Sequence, residues 1–194
     1  LKTVRLDEKM FVPKAVLNTI SKSKDKMVTP KQMLDEAGGD YRMQGIARVY
    51  DQYQRTLKDA NAVDFDDLIM LTVRLFEANP HILEYYQNRY RYIMVDEYQD
   101  TNHMQYLLIS LLASAHKNLC VVGDDDQSIY KFRGATIENI LSFEEQFPGA
   151  AVIRLEQTYR SPQTLLSAAN RVIANNQTRK GKNLRPCPLY THDA

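Results

Sequence analysis

Three carboxylates follow a short apolar run near the middle of the chain. The run from Tyr92 to Val95 is rich in large apolar residues and has no helical periodicity, which predicts a buried strand of a parallel sheet. Asp96 and Glu97 then lie at the carboxyl end of that strand, where ligands bind in open α/β sheets. An acidic pair there can hold Mg²⁺ and orient a water against a nucleotide phosphate. The alternative is structural, because an aspartate after a strand often caps the next helix.

A second apolar run, residues 119–122, predicts a neighbouring strand that ends in Gly123, three aspartates and Gln127. Parallel strands end at the same edge of a sheet, so Gln127 is expected near whatever Asp96 and Glu97 bind. A glutamine side chain can donate to a phosphate oxygen and accept from a water at the same time.

Two aromatic rings and a guanidinium come directly after this second run, at Tyr130, Phe132 and Arg133. Such residues stack on bases and hold phosphates in single-stranded nucleic acid, at ~1 to 3 kcal/mol per stacked base. The alternative is a turn followed by ordinary aromatic core residues.

A third strand is predicted over residues 151–155, followed by Tyr159, Arg160 and a helix that Ser161 caps and Pro162 opens. Arg160 therefore lies near a helix N-terminus, where backbone donors and a fork-shaped cation suit phosphate. The alternative for Arg160 is a surface salt bridge.

The elements around these residues divide the chain in two. Capping residues and helical periodicity predict helices from Pro13, from Pro30, over 41–60, from Asp64 to Asn79 and from Pro80, with Lys22, Lys24 and Lys26 in a solvated linker. After residue 90 the strands at 92–95, 119–122 and 151–155 alternate with helices over about 102–115 and 136–147. This order predicts an α/β fold with a mainly parallel sheet, preceded by an all-helical subdomain.

Composition excludes several classes of protein. The 194 residues hold no run of 18 apolar residues and no apolar signal core near the N-terminus, so we expect no membrane span and a cytoplasmic location. The two cysteines are too few for a disulfide framework or zinc site, and Cys120 is expected to be a small core residue.

Charge is unevenly distributed along the chain. Residues 1–60 contain 12 Lys/Arg and 8 Asp/Glu, residues 61–155 contain 7 and 14, and residues 156–194 contain 6 and 2. Basic flanks suit a polyanion or a solvated surface equally.

The motifs together resemble superfamily 1 DNA helicases of the UvrD, Rep and PcrA type. Residues 95–102 look like motif II of that family, residues 122–135 like motif III and residues 155–161 like motif IV. The run 64–68 is similar to one that precedes motif II. The resemblance implies a P-loop NTPase (RecA-like) motor, with residues 1–88 as the helical accessory subdomain, 89–150 as the second part of the first motor domain, and 151–194 as the start of the second.

The resemblance also implies a role for each matching residue of the nucleotide site. Asp96, together with Glu97, would hold Mg²⁺, and Glu97 would be the general base for the attacking water. Gln127 would contact the γ-phosphate of ATP. Tyr159 would stack on the adenine, and Arg160 would act as an arginine finger, which is worth ~10³ to 10⁵ in rate in other nucleotide hydrolases.

By the same resemblance, Tyr130, Phe132 and Arg133 would line the track for single-stranded DNA. The function implied is ATP-driven translocation on single strands and duplex unwinding, 3'-to-5', in DNA repair or replication, by a parent protein expected to be monomeric. Two alternatives stay open: the motor of a recombination helicase-nuclease, or a non-catalytic nucleic-acid-binding module on a helicase fold.

Two positions depart from the family pattern, and one part is missing. Thr158 stands where the pattern usually has Asn, and Phe132 where many members have Trp. The only Gly-Lys pair, Gly181-Lys182, has Asn176 where a phosphate-binding loop needs its first glycine. We therefore expect a fragment of a longer helicase that, alone, hydrolyses no ATP.

Overall fold

Helices dominate the part of the chain that the structure describes. The computed structural model describes residues 4, 6–7, 9–128, 135–175 and 181–187. Its helices are, in chain order, α1 (Pro13–Asp25), α2 (Pro30–Glu36), α3 (Tyr41–Asp59), α4 (Phe65–Ala78), α5 (Pro80–Arg89), α6 (His103–Ala113), α7 (Glu138–Leu141), α8 (Phe143–Gln146) and α9 (Gln163–Ile173). Its strands are β1 (Ile93–Val95), β2 (Leu119–Val121), β3 (Gln157–Thr158) and β4 (Arg185–Pro186). Within these ranges, no helix is both long and apolar enough to cross a membrane.

The helices of the first ninety residues begin where the sequence offers capping groups. At the start of α4, the Asp64 carboxylate accepts from the Asp67 N–H at 2.8 Å while the Asp67 carboxylate accepts from the Asp64 N–H at 3.3 Å. Thr29 and Gln32 form the same reciprocal box at α2. A proline opens each of α1, α2 and α5. The helices predicted for this part of the chain are confirmed.

The main core packs α1, α2 and α3 together. Its buried members are Phe11, Val16, Ile20, Met33, Ile46, Ala47 and Tyr50. Tyr50 is fully buried, and its hydroxyl donates to the Val28 carbonyl at 3.3 Å. Gly45 lets Phe11 approach α3, because a Cβ there would lie 2.5 Å from the Phe11 ring. Tyr50 therefore serves the packing of this core.

Lys24 is not in a solvated linker, and that prediction is wrong. Helix α1 continues through Asp25, so Lys24 lies one turn after Ile20 on the buried face. Its ammonium is fully buried and pairs with the Asp64 carboxylate at 2.6 Å and the Asp67 carboxylate at 2.8 Å. Two carboxylates at the start of α4 thus supply the charge that allows this lysine to be buried.

Strands β1 and β2 pair in parallel, with Ile93 opposite Leu119 and Val95 opposite Val121, and α6 connects them. The predicted parallel pairing is confirmed, but the prediction that β1 is a buried strand is wrong. Met94 is 83% exposed, and Cys120, its neighbour in register, is also exposed. Successive side chains on a strand alternate between faces, and only one face of this pair is covered by the described residues. Cys120 is therefore not a core residue.

The third strand lies later in the chain than predicted. Residues 151–155 form no strand, and Ile153 and Leu155 are 81% and 77% exposed. Pairing begins only where the Arg185 N–H donates to the Glu156 carbonyl at 2.9 Å, and it gives the short parallel pair β3–β4. An extended segment becomes a strand only beside a hydrogen-bonding neighbour, and within the described ranges 151–155 has none.

Two helix predictions also need correction. The helix predicted over 136–147 is divided into α7 and α8 at Ser142, whose hydroxyl donates to the Glu138 carbonyl at 2.5 Å. A serine hydroxyl that bonds back to the carbonyl four residues earlier slightly destabilises and bends a helix. Ser161 does not cap the last helix, because the extended Pro162 holds the N-cap position and makes no side-chain cap bond.

Candidate functional site

The carboxyl ends of β1 and β2 lie side by side and bring two acidic segments together. The Val122 N–H donates to the Val95 carbonyl at 2.8 Å, and the Tyr98 N–H donates to the Val122 carbonyl at 2.9 Å. Asp96 and Glu97 leave the end of β1, while Gly123 and the following aspartates leave the end of β2. The two predicted segments therefore meet at one edge.

A left-handed residue turns the chain after β1. Glu97 has φ of 50° and ψ of 41°, a conformation that non-glycine residues seldom adopt and that costs about 1 kcal/mol or more. Its N–H donates to the Asp96 carboxylate at 2.9 Å, and both side chains are exposed. The next residue, Tyr98, is fully buried, and its ring packs against that of Phe143 with the ring centroids 5.7 Å apart. Burial raises the pKa of the Tyr98 hydroxyl to about 12, so this side chain stays neutral and serves packing.

Gln99 connects the two segments. Its side chain is buried at 1% exposure, and its amide nitrogen donates to the Glu97 carboxylate at 2.7 Å. Its amide oxygen accepts from the Asp124 N–H at 2.9 Å. Gly123 leaves room for this amide, because a Cβ there would lie 2.7 Å from the Gln99 oxygen. Gln99 was not among the predicted site residues, although it lies three residues after Asp96 in the same motif.

Asp124 extends the same chain of hydrogen bonds to Gln127. The Gln127 amide donates to the Asp124 carboxylate at 2.7 Å, within a 3-10 turn over Asp125–Gln127. Lys182 forms an ion pair with the other Asp124 oxygen. Burial pushes the pKa of the Asp124 carboxyl upward, but the hydrogen bonds from Lys182 and Gln127 outweigh it and the pKa is lowered. No sequence pattern indicated the contact with Lys182, which lies far along the chain.

The predicted ligands suit a magnesium ion in their chemistry. Asp96 and Glu97 are exposed carboxylates at the sheet edge, and Mg²⁺ prefers such oxygen ligands together with water. Asp124, Asp125 and Asp126 also bring their carboxylate oxygens within 4.8 Å of one another. The Asp124 carboxylate already pairs with Lys182, so Asp96 and Glu97 are the better candidates.

The remaining predicted residues fall outside this network. Tyr159 is 67% exposed and Arg160 is exposed, directly after β3. Among the described ranges, no hydrogen bond or ion pair joins either side chain to Glu97 or Gln127. Tyr130, Phe132 and Arg133 lie outside the described residues.

The segment after Gln99 is fixed to two other elements. Asn139 of α7 donates to the Thr101 carbonyl and to its hydroxyl, each at 3.2 Å. Asn102 caps α6, since its side-chain oxygen accepts from the Gln105 N–H at 2.9 Å. The Asn102 amide nitrogen also donates to the Asp25 carboxylate of α1 at 2.9 Å. The helical part and the acidic edge are thus joined directly.

Comparison with known proteins identifies the family. The profile of the UvrD/REP helicase N-terminal domain matches residues 1–148. The chain belongs to the UvrD/REP helicase family. The resemblance inferred from the motifs is therefore confirmed.

Named relatives within this family are ATP-dependent DNA helicases called PcrA. The chain is 56% identical over 184 residues to PcrA of Staphylococcus aureus (strain Mu50 / ATCC 700699) and 53% identical to PcrA of Bacillus subtilis (strain 168). PcrA of Staphylococcus epidermidis is 55% identical. Each match covers 95% of this chain and 25% of the relative, so the chain spans about a quarter of the length of these curated relatives.

Proposed function

We propose that this chain is part of an ATP-dependent DNA helicase that couples Mg-ATP hydrolysis to movement along single-stranded DNA and to unwinding of duplex DNA, in the 3'-to-5' direction. The observation that carries the proposal is the hydrogen-bonded series Glu97–Gln99–Asp124–Gln127 at the carboxyl ends of two parallel strands, in a chain of the UvrD/REP family. Open α/β sheets bind nucleotides at this edge. The helix-rich fold with its parallel strand pairs agrees with a RecA-like motor fold.

The proposed roles follow the chemistry of each side chain. Asp96, with Glu97, holds Mg²⁺, which when bound neutralises charge on the nucleotide phosphates. Glu97 accepts a proton from the attacking water. Gln127 contacts the γ-phosphate of ATP. Tyr159 and Arg160 approach the nucleotide from the second motor domain, and their exposure leaves both side chains available for it.

DNA is the proposed partner of the segment after β2. Tyr130, Phe132 and Arg133 offer stacking surfaces and a phosphate-binding cation, and they lie a few residues after Gln127. Few residues of the sequence therefore separate the proposed γ-phosphate contact from the proposed DNA track. We assign a cytoplasmic location and a role in DNA repair or replication to the monomeric parent protein.

The proposed domain boundaries are those implied by the resemblance of the motifs to superfamily 1 helicases. Residues 1–88 form the helical accessory subdomain, residues 89–150 belong to the first motor domain and residues 151–194 to the second. The buried core around Tyr50 supports a helical unit with its own interior. The change from helices to parallel pairing at β1 supports the boundary near residue 89.

The test is ATP hydrolysis by the full-length protein that contains this chain, with and without single-stranded DNA, beside Glu97→Gln. Glu97→Gln should abolish turnover while nucleotide still binds, because the amide cannot accept the proton. Glu84→Gln, an exposed glutamate on α5, is the matched control and should keep full activity. DNA binding without turnover would favour a non-catalytic binding module. Turnover that is indifferent to Glu97→Gln would instead refute the role of Glu97 as the general base. A nuclease activity in the same polypeptide would favour a recombination helicase-nuclease.

A further inference from the structure

We propose that Gln99 is a positioning residue that holds the Glu97 carboxylate and ties it to the segment carrying Gln127. The inference rests on the proposed role of Glu97 as general base. Gln99 itself touches no substrate in this scheme. It acts through the two groups that its amide joins.

The orientation of the Gln99 amide is determined by its two partners. Its nitrogen faces a carboxylate oxygen of Glu97 at 2.7 Å, and its oxygen faces the Asp124 N–H at 2.9 Å. A reversed amide would set oxygen against oxygen and N–H against N–H, so only one orientation makes both bonds. A glutamine is needed because it offers one donor and one acceptor on a single rigid plane.

The surroundings keep the amide in place. Gln99 is buried at 1% exposure, and Tyr98 before it is fully buried. Gly123 borders the amide oxygen so closely that any Cβ would displace it. A buried amide with both ends satisfied is expensive to move, because each unmade bond leaves a desolvated polar group. The Glu97 side chain is exposed, but the buried Gln99 amide holds its carboxylate in place.

This arrangement gives Gln99 a defined function in catalysis. One Glu97 oxygen is occupied by the amide, which leaves the other oxygen for the proton of the attacking water. The second bond fixes the same amide to Asp124, whose carboxylate holds Gln127 at 2.7 Å. The base and the proposed γ-phosphate contact are thus set relative to each other. A misplacement of about 1 Å at such a site can cost ~10²-fold in rate.

The experiment compares two substitutions in the full-length helicase. Gln99→Met keeps the approximate volume and removes both hydrogen bonds. Gln99→Glu keeps the acceptor for the Asp124 N–H but sets a second carboxylate against Glu97. Gln54→Met is the matched control, because Gln54 also donates to a carboxylate, that of Asp67, at 3.1 Å within the helical part.

Both Gln99 variants should lower DNA-stimulated kcat by ~10- to 100-fold, while KM for ATP and nucleotide affinity stay within about twofold. Gln54→Met should change neither kcat nor KM. Thermal unfolding of all variants provides the comparison of stability. If Gln99→Met fails to fold, Gln99→Glu carries the test, since it keeps the bond to Asp124.

Two results would overturn the inference. One is kcat within twofold of wild type in a Gln99 variant, while wild type is active and Glu97→Gln is inactive; the proposed function would then stand and the role of Gln99 would not. The other is an equal loss of kcat and nucleotide affinity, which would mark Gln99 as merely structural. Absence of DNA-stimulated turnover in the wild-type protein is a separate result, because it would refute the proposed function itself.

Discussion

Replacing Lys24 with methionine tests what the buried ion network contributes to stability. Methionine keeps most of the side-chain length but removes the ammonium that lies 2.6 Å from Asp64 and 2.8 Å from Asp67. The Asp67 side chain is 2% exposed and that of Asp64 is 23% exposed, so at least one carboxylate is left buried without its cation. Removing one partner of a buried pair costs ~3 to 5 kcal/mol. That is a large fraction of the ~5 to 15 kcal/mol that stabilises a typical domain.

The pH dependence gives a second signature of the same network. Burial pushes the pKa of the Asp64 carboxyl upward, but hydrogen bonds from Lys24, the Asp67 N–H and Tyr53 outweigh it, and the pKa is lowered. A lowered pKa in the folded state stabilises above the unfolded pKa of ~3.9, and the contribution is lost as pH falls through the folded value. The stability difference between wild type and Lys24→Met should therefore shrink below about pH 4.

The measurement is urea unfolding of this chain, followed by the helical circular dichroism signal. Lys22→Met is the control, because Lys22 is exposed on the same helix and its replacement should change the free energy of unfolding by less than ~0.5 kcal/mol. If the two variants unfold within about 1 kcal/mol of each other at pH 7, the reasoning about the buried network is refuted.

Two further substitutions test neighbouring features. Burial, and then repulsion from Asp66, raises the pKa of Asp25 to about 6, so the folded state loses stability as pH rises from ~4 through 6. Asp25→Asn should therefore raise the melting temperature most above pH 6 and least near pH 4, and an equal gain at both pH values would contradict this. Gly123→Ala should lower the free energy of unfolding of this chain by ~1 to 3 kcal/mol, because the added Cβ would lie 2.7 Å from the Gln99 amide oxygen. An unchanged free energy of unfolding would show that the amide can move aside.

Features set by near neighbours in the chain could be predicted from sequence. Asp64 was predicted to cap α4 because the residues that need its carboxylate lie three positions away, and the structure agrees. The strand pair β1–β2 followed from two apolar runs that end in acids. Lys24 shows how a local signal can mislead. Val16, Ile20 and Lys24 share one helical face, but the charge of the lysine suggested solvent until its two acidic partners were known.

Features that depend on distant segments could not be predicted in this way. Residues 151–155 have the composition of a strand, yet pairing with β4 begins only at Glu156. The bond from the Asp124 N–H to Gln99 spans 25 positions, and the partner of Asp124 at Lys182 lies still further along the chain. The roles of Asp96, Glu97, Gln127, Tyr159 and Arg160 remain predictions. Motif chemistry indicated these residues, and the contacts that orient them required the structure.

The Asn102 side chain makes two hydrogen bonds that limit which residues could replace it. Its oxygen caps α6 and its amide nitrogen holds Asp25, which lies 77 positions earlier. Serine or aspartate would cap a helix about as well as asparagine does. Aspartate, however, would set two carboxylates against each other. Positions 25 and 102 should therefore covary among relatives, with an acid at one accompanied by a neutral donor at the other. Chimeric helicases that exchange one position without the other should be less stable than either parent.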